Sequence, residues 1–91
     1  MSDFQYELIK ICSRSGKEYY HVYPQEPMAF LSQDFGNMNV INSHAKFSVI
    51  SFPDCHVTVF ASGRMLIENL PQNAEKRARE IIKEIISHSH Q

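Results

Sequence analysis

Residues 45–68, AKFSVISFPDCHVTVFASGRMLIE, decide the fold. They read as three short strands, 45–51, 56–61 and 64–68, separated by turns at Phe52-Pro53-Asp54-Cys55 and Ser62-Gly63. β-branched and aromatic residues fill the strands while Pro, Asp and Gly supply the turns, so antiparallel pairing is expected. The first turn sets the parity. With an even loop, Ser51 faces His56, Val49 faces Thr58 and Phe47 faces Phe60, and residues opposite one another share a face. Phe47, Val49, Thr58, Phe60 and Leu66 then lie together, and Ser48, Ile50, Val57, Val59, Met65 and Ile67 lie on the other face. The preference for two- and four-residue hairpin loops favours the even loop, whereas an odd one would reverse the parity of one strand.

Working outward, residues 38–41 form a short strand before this block, and the amino-terminal segment reads as a hairpin. Its strands are 7–12 and 18–23, joined by a turn at residues 13–17 in which Gly16 can take a positive φ without steric cost. Pro27-Met28-Ala29-Phe30-Leu31 suggests a short helix ended by a turn at Asp34-Phe35-Gly36-Asn37. The carboxyl-terminal segment is the clearest. Ala74, Ala78, Ile81, Ile82, Ile85 and Ile86 fall on one stripe of an amphipathic helix over 73–87, with Asn73 as N-cap and a frayed polar tail over 87–91. The expectation is therefore one α+β domain over 1–91: an antiparallel sheet of five to six strands with the terminal helix on one face. One helix covers one face. The other would expose Phe47, Val49, Phe60 and Leu66, and an exposed apolar patch of that kind marks an interface.

The composition fits an ordinary globule: 91 residues, 43% hydrophobic and 21% charged. Nine Lys+Arg against ten Asp+Glu leave a net charge of −1, which disfavours a nucleic-acid partner, since phosphate grip calls for a basic surplus. No apolar run approaches the roughly 18 residues of a membrane span, and Met1-Ser2-Asp3 does not open a signal peptide, so a cytoplasmic protein away from the membrane is expected. Cys12 and Cys55 lack CxxC spacing and read as reduced, buried structural thiols.

Catalytic chemistry finds little support. His21, His44 and His56 are scattered, His88 and His90 sit on a polar tail, and no Cys or carboxylate completes a metal-ligand set at recognisable spacing. Three glycines cannot build GxxxxGK[ST] or GxGxxG, and Asp54 and Glu68 are isolated carboxylates without a partner for acid–base work. No cofactor, metal or enzymatic activity is expected.

The run Thr58-Val59-Phe60-Ala61-Ser62-Gly63-Arg64-Met65-Leu66-Ile67 resembles a known pattern, "T-V-F-x-D-G-R-hydrophobic-hydrophobic-I", and Arg77-Ala78-Arg79 in the following helix agrees with it. Cys12-Ser13-Arg14 followed by Tyr20-His21-Val22-Tyr23-Pro24 is similar to the "C-G-R-x-x-x-Q-V-x-P" hairpin of the same family, and Asn39-Val40 and Lys46-Phe47-Ser48-Val49 match its next two strands. The family is the C-terminal domain appended to ThiF/MoeB-type adenylyltransferases, which activate sulfur-carrier and ubiquitin-like proteins. Ser62 stands where that family has Asp, and Asn69 where it has Gly. The nucleotide-binding glycines and zinc cysteines of the adenylyltransferase itself have no counterpart. The resemblance implies a TATA-binding-protein-like fold and a free-standing, non-catalytic interaction domain. Its surface would comprise Phe47, Val49, Thr58, Phe60, Arg64 and Leu66, covered by a protein partner or by a second copy. Phe60-Ala61-Ser62-Gly63-Arg64-Met65 also resembles the "F-A/S-S-G-K-M" hairpin of the TATA-binding-protein repeat. That likeness implies the alternative of a saddle-type nucleic-acid binder, with Phe47 and Phe60 as wedges. Glu68 falls where such a saddle meets the groove, and a carboxylate there repels phosphates.

Overall fold

The computed structural model describes residues 5–14, 16–26, 38–71 and 74–89. Six strands form one sheet: β1 (Tyr6–Arg14), β2 (Lys17–Pro24), β3 (Val40–Ser43), β4 (Phe47–Ser51), β5 (His56–Phe60) and β6 (Met65–Pro71), followed by helix α1 (Glu75–Ser89). The sheet order is β1-β2-β6-β5-β4-β3, with every neighbouring pair antiparallel. β3 to β6 form a meander, and the β1–β2 hairpin joins it through β2 and β6. The fold is α+β, an open antiparallel sheet with one carboxyl-terminal helix. The short helix expected at Pro27–Leu31 and the Asn73 cap lie outside the described residues. The helix runs to Ser89, taking in residues expected in the frayed tail.

The turns follow from their residues. β1 and β2 zip up as far as Arg14↔Lys17, so their connection is a two-residue loop, tighter than the residue 13–17 turn expected. Gly16 takes φ 76°, and a Cβ there would meet nothing within 4 Å, so its glycine is required by backbone conformation alone. Between β5 and β6, the Phe60 N–H donates to Arg64 O and the Gly63 N–H donates to Phe60 O. With Gly63 at φ 97°, this is a three-residue hairpin loop whose last position needs the left-handed region. It is one residue longer than the Ser62-Gly63 turn expected, and the added residue is what sets Leu66 rather than Met65 on the face of Phe60. The β4–β5 loop, residues 52–55, is even. The register is Phe47↔Phe60, Val49↔Thr58 and Ser51↔His56, as the even-loop reading requires.

The core lies between one sheet face and the helix. Val22, Ile50, Val57, Val59, Met65 and Ile67 from the sheet meet Ala78, Ile81, Ile82 and Ile85 from α1 and Ala74 just before it, all buried. Ile82 and Ile85 are sealed, at 1% and 0% exposure, as their stripe predicts. Two arginines flanking buried Ala78 tie the helix down on opposite sides. Arg77 grips Asp54 in the β4–β5 turn with two hydrogen bonds, 2.8 and 3.1 Å. Arg79 lies over the Tyr6 ring at 5.7 Å, pinning the helix toward edge strand β1. Residues two apart on a helix point to nearly opposite flanks, so this Arg-Ala-Arg triplet seats α1 across the sheet.

Candidate functional site

The site is the sheet face away from the helix. Each strand sends alternate residues there, and the register lines them up in transverse rows. The middle row runs Ile9–His21–Leu66–Thr58–Val49–Asn42 across all six strands. To one side lies a row with Phe47 opposite Phe60, then Arg64 at the end of the hairpin loop, and Tyr23 opposite Glu7. To the other side lie Ser51, His56 and Glu68. All six residues expected for the interaction surface, Phe47, Val49, Thr58, Phe60, Arg64 and Leu66, therefore share this face.

Aromatic contacts give one end of the face its shape. The Phe47 and Phe60 rings are 6.2 Å apart and tilted, His44 stacks on Phe47 at 4.6 Å, and the Arg64 guanidinium sits 4.9 Å over Phe60. Nearer β1, His21 and Tyr23 meet edge to face at 5.3 Å and share a 2.8 Å hydrogen bond. Phe47, Val49, Thr58, Phe60 and Leu66 are half-buried by their neighbours, whereas Ile9, Ile11 and Ile41 are 42%, 47% and 56% exposed. Ile9, His21 and Tyr23 belong to this surface but were not expected on it. Their place depends on β2 pairing with β6 some 45 residues later, and local periodicity does not carry that pairing.

Asn69, which stands where the resembled family has Gly, takes a left-handed backbone inside a strand. Asn69 has φ 70° within β6, where the register against β2 shifts between Glu18 and Tyr20. Asn adopts this conformation at low cost, and the resulting bulge re-aims the end of β6. The Tyr19 hydroxyl donates to Asn69 Oδ1 at 3.1 Å.

A second polar cluster lies on the helix side, where Leu8, Lys10, Glu18, Tyr20, Glu75 and Lys76 line a cleft of about 290 Å³. Glu18 is 3% exposed, accepts a hydrogen bond from the Tyr20 hydroxyl and lies 3.4 Å from Lys10 Nζ. Burial, reinforced by the Glu18 carboxylate, pushes the Tyr20 phenol up to about 12. The sign of this cluster was present in the sequence: Glu18, Tyr20 and Val22 alternate, so a core-facing Val22 puts a carboxylate inward too. Both of its carboxylate oxygens already face a partner, which makes the cluster a satisfied structural network rather than a poised acid or base.

Cys55 is buried and free, and burial pushes its thiol up to about 12, far from the thiolate a nucleophile needs. The side chain of Cys12 lies outside the described residues. Asp54, read as isolated, is paired with Arg77, which holds its carboxyl below the usual range. Among the described residues no three His, Cys, Asp or Glu side chains converge as a metal site would require, and no helix is long and apolar enough to cross a membrane.

Comparison with protein-family models, with curated proteins and with solved structures finds no match to this chain. What the fold and the site define is a class: an α+β domain with a helix on one face of its sheet and an aromatic, apolar second face that no other described element covers.

Proposed function

We propose that this chain is a cytoplasmic, non-catalytic protein-interaction domain that docks through its open sheet face. On this reading it is equivalent to the domain appended to ThiF/MoeB-type enzymes, with a TATA-binding-protein-like architecture. The observation that carries the proposal is the shared face of Phe47, Val49, Phe60 and Leu66. Four large apolar side chains at alternate positions on three adjacent strands face away from the only described helix. Their burial is incomplete within the chain, and a partner completes it.

Charge argues against the saddle-type alternative. Glu7 and Glu68 stand on the same face as the two phenylalanines, where a nucleic-acid binder would place cations. Replacing Phe60 by Asp tests the proposal, because a charge is costly in an interface and cheap in water. Phe60→Asp should keep a cooperative thermal melt and abolish protein association, read as sedimentation of the purified chain. Unfolding of the variant would instead assign Phe60 to the core. Duplex DNA binding that falls steeply with salt would move the reading to the saddle.

A further inference from the structure

We infer that the protein covering this face is a second copy of the chain, packed face to face about a two-fold axis that runs along the middle row Ile9–His21–Leu66–Thr58–Val49. The inference rests on the open face being a protein interface and names its occupant.

Self-complementarity carries it. A closed homodimer with two-fold symmetry presents the same patch from both copies, so a surface suits it only when rotation brings each group onto a fitting one. Rotation about the middle row lays each strand on its own copy in reverse direction. Leu66, Thr58 and Val49 then meet themselves across the axis. The row on one side meets the row on the other: Arg64 faces the second copy's Glu68, and Glu68 faces its Arg64. Leu66 lies midway between them, two residues from each, so both ion pairs form at once and flank an apolar centre. Phe60 falls over the second copy's His56 and Phe47 over its Ser51, so the bulky aromatic row meets the smaller polar row rather than itself. A two-fold axis running along the strands instead would keep Arg64 and Glu68 in separate rows wherever it lay, and leave the opposite charges apart.

Size agrees with this occupant. The three rows hold six, five and three residues, a face roughly 29 by 20 Å at its widest at ordinary strand spacing. Two such faces bury on the order of 1,000 Å², the lower edge of what a biological interface needs. Sheets packed this way lie about 10 Å apart, the distance filled by interdigitating side chains such as Leu66 and Val49.

The test uses the whole chain, with folding of each variant checked by its thermal melt. Sedimentation velocity should show a dimer. Arg64→Glu and Glu68→Arg should each weaken it by roughly a hundredfold, since each sets two like charges against each other. The double variant Arg64→Glu/Glu68→Arg should restore it to within about threefold, the coupling that only facing residues show. A chain that sediments as a monomer overturns self-association. A dimer destroyed by Phe60→Asp but not rescued in the double variant overturns this packing and leaves the face an interface. A dimer indifferent to Phe60→Asp overturns both this packing and the reading of the face.

Discussion

The two faces of the sheet are built from the same strands at alternate positions, yet they are different surfaces. On the helix side, Val22, Ile50, Val57, Val59, Met65 and Ile67 are aliphatic or thioether side chains at 0–1% exposure, and α1 meets them with alanine and isoleucine. On the other side the same strands carry Phe47, Thr58, Phe60, Leu66, His21 and Tyr23, with Arg64, Glu7 and Glu68 among them. A core needs close-packed apolar volume and tolerates few polar atoms. An interface mixes aromatic anchors with charges that can find partners or return to water. The difference teaches that only the first face is assembled for permanent burial inside the chain.

The largest expected effect would separate the faces most sharply. Ile82→Ala should cost about 2–5 kcal/mol in urea unfolding, a large share of a small domain's stability. Leu66→Ala, measured where the chain is monomeric, should cost under about 1 kcal/mol. Equal costs would erase the distinction and place Leu66 in a second core.

The polar cluster beneath the helix sharpens the contrast next. Tyr20→Phe removes the hydroxyl that donates to the buried Glu18 carboxylate and should cost about 1–3 kcal/mol. The Tyr19–Asn69 bond on the exposed side should be worth much less, so Tyr19→Phe serves as its counterpart. The buried side also predicts a pH response. Tyr20 and Cys55 bind their protons more tightly in the folded chain, at about 12, than the ordinary 10.0 and 9.0. Their contribution is complete below those ordinary values and is lost as pH rises from about 9 towards 12. Urea midpoints should fall across that window, and Cys55→Ala should delay the onset. A flat profile from pH 8 to 11 would mean that neither group is buried in solution.

The smallest expected effect is at the helix latch. Asp54 and Arg77 are each about one-third exposed, so Asp54→Asn should cost under about 1 kcal/mol despite its good geometry. Its carboxyl is held below the ordinary 3.8, so the contribution is present above that value and lost as pH falls through the lowered one. Comparing urea midpoints of the native chain and the variant at pH 6 and pH 3 checks the sign, because the difference should shrink in acid.

Much of the site was legible because strand parity is a local property. A period of two and a four-residue loop at 52–55 put Phe47, Val49, Thr58 and Phe60 together before any strand order was known. Leu66 joins them only because the next loop has three residues: a two-residue Ser62-Gly63 turn would pair Phe60 with Met65. The isoleucine stripe of α1 was legible for the same reason, since i, i+4 and i+7 positions share a face of any helix. Glu18 was not, although its alternation with Tyr20 and Val22 carried the signal, because nothing local said which parity of β2 turns inward. Asp54 looked isolated because its partner Arg77 is 23 residues away.

By itself, then, the amino-acid sequence determined the strands of the sheet, helix α1 and the two alternating sets of β4 and β5, while the lengths of the hairpin loops before Lys17 and before Arg64 came from the structure. Only the tertiary structure decided that β6 lies between β2 and β5, that His21 and Ile9 extend the Leu66 row, and that Arg64 and Glu68 flank a row crossing the whole sheet. The physical reason is range. Turn and periodicity preferences act over a few residues, whereas the β2–β6 pairing joins residues such as His21 and Leu66 and is selected by the burial it completes under α1.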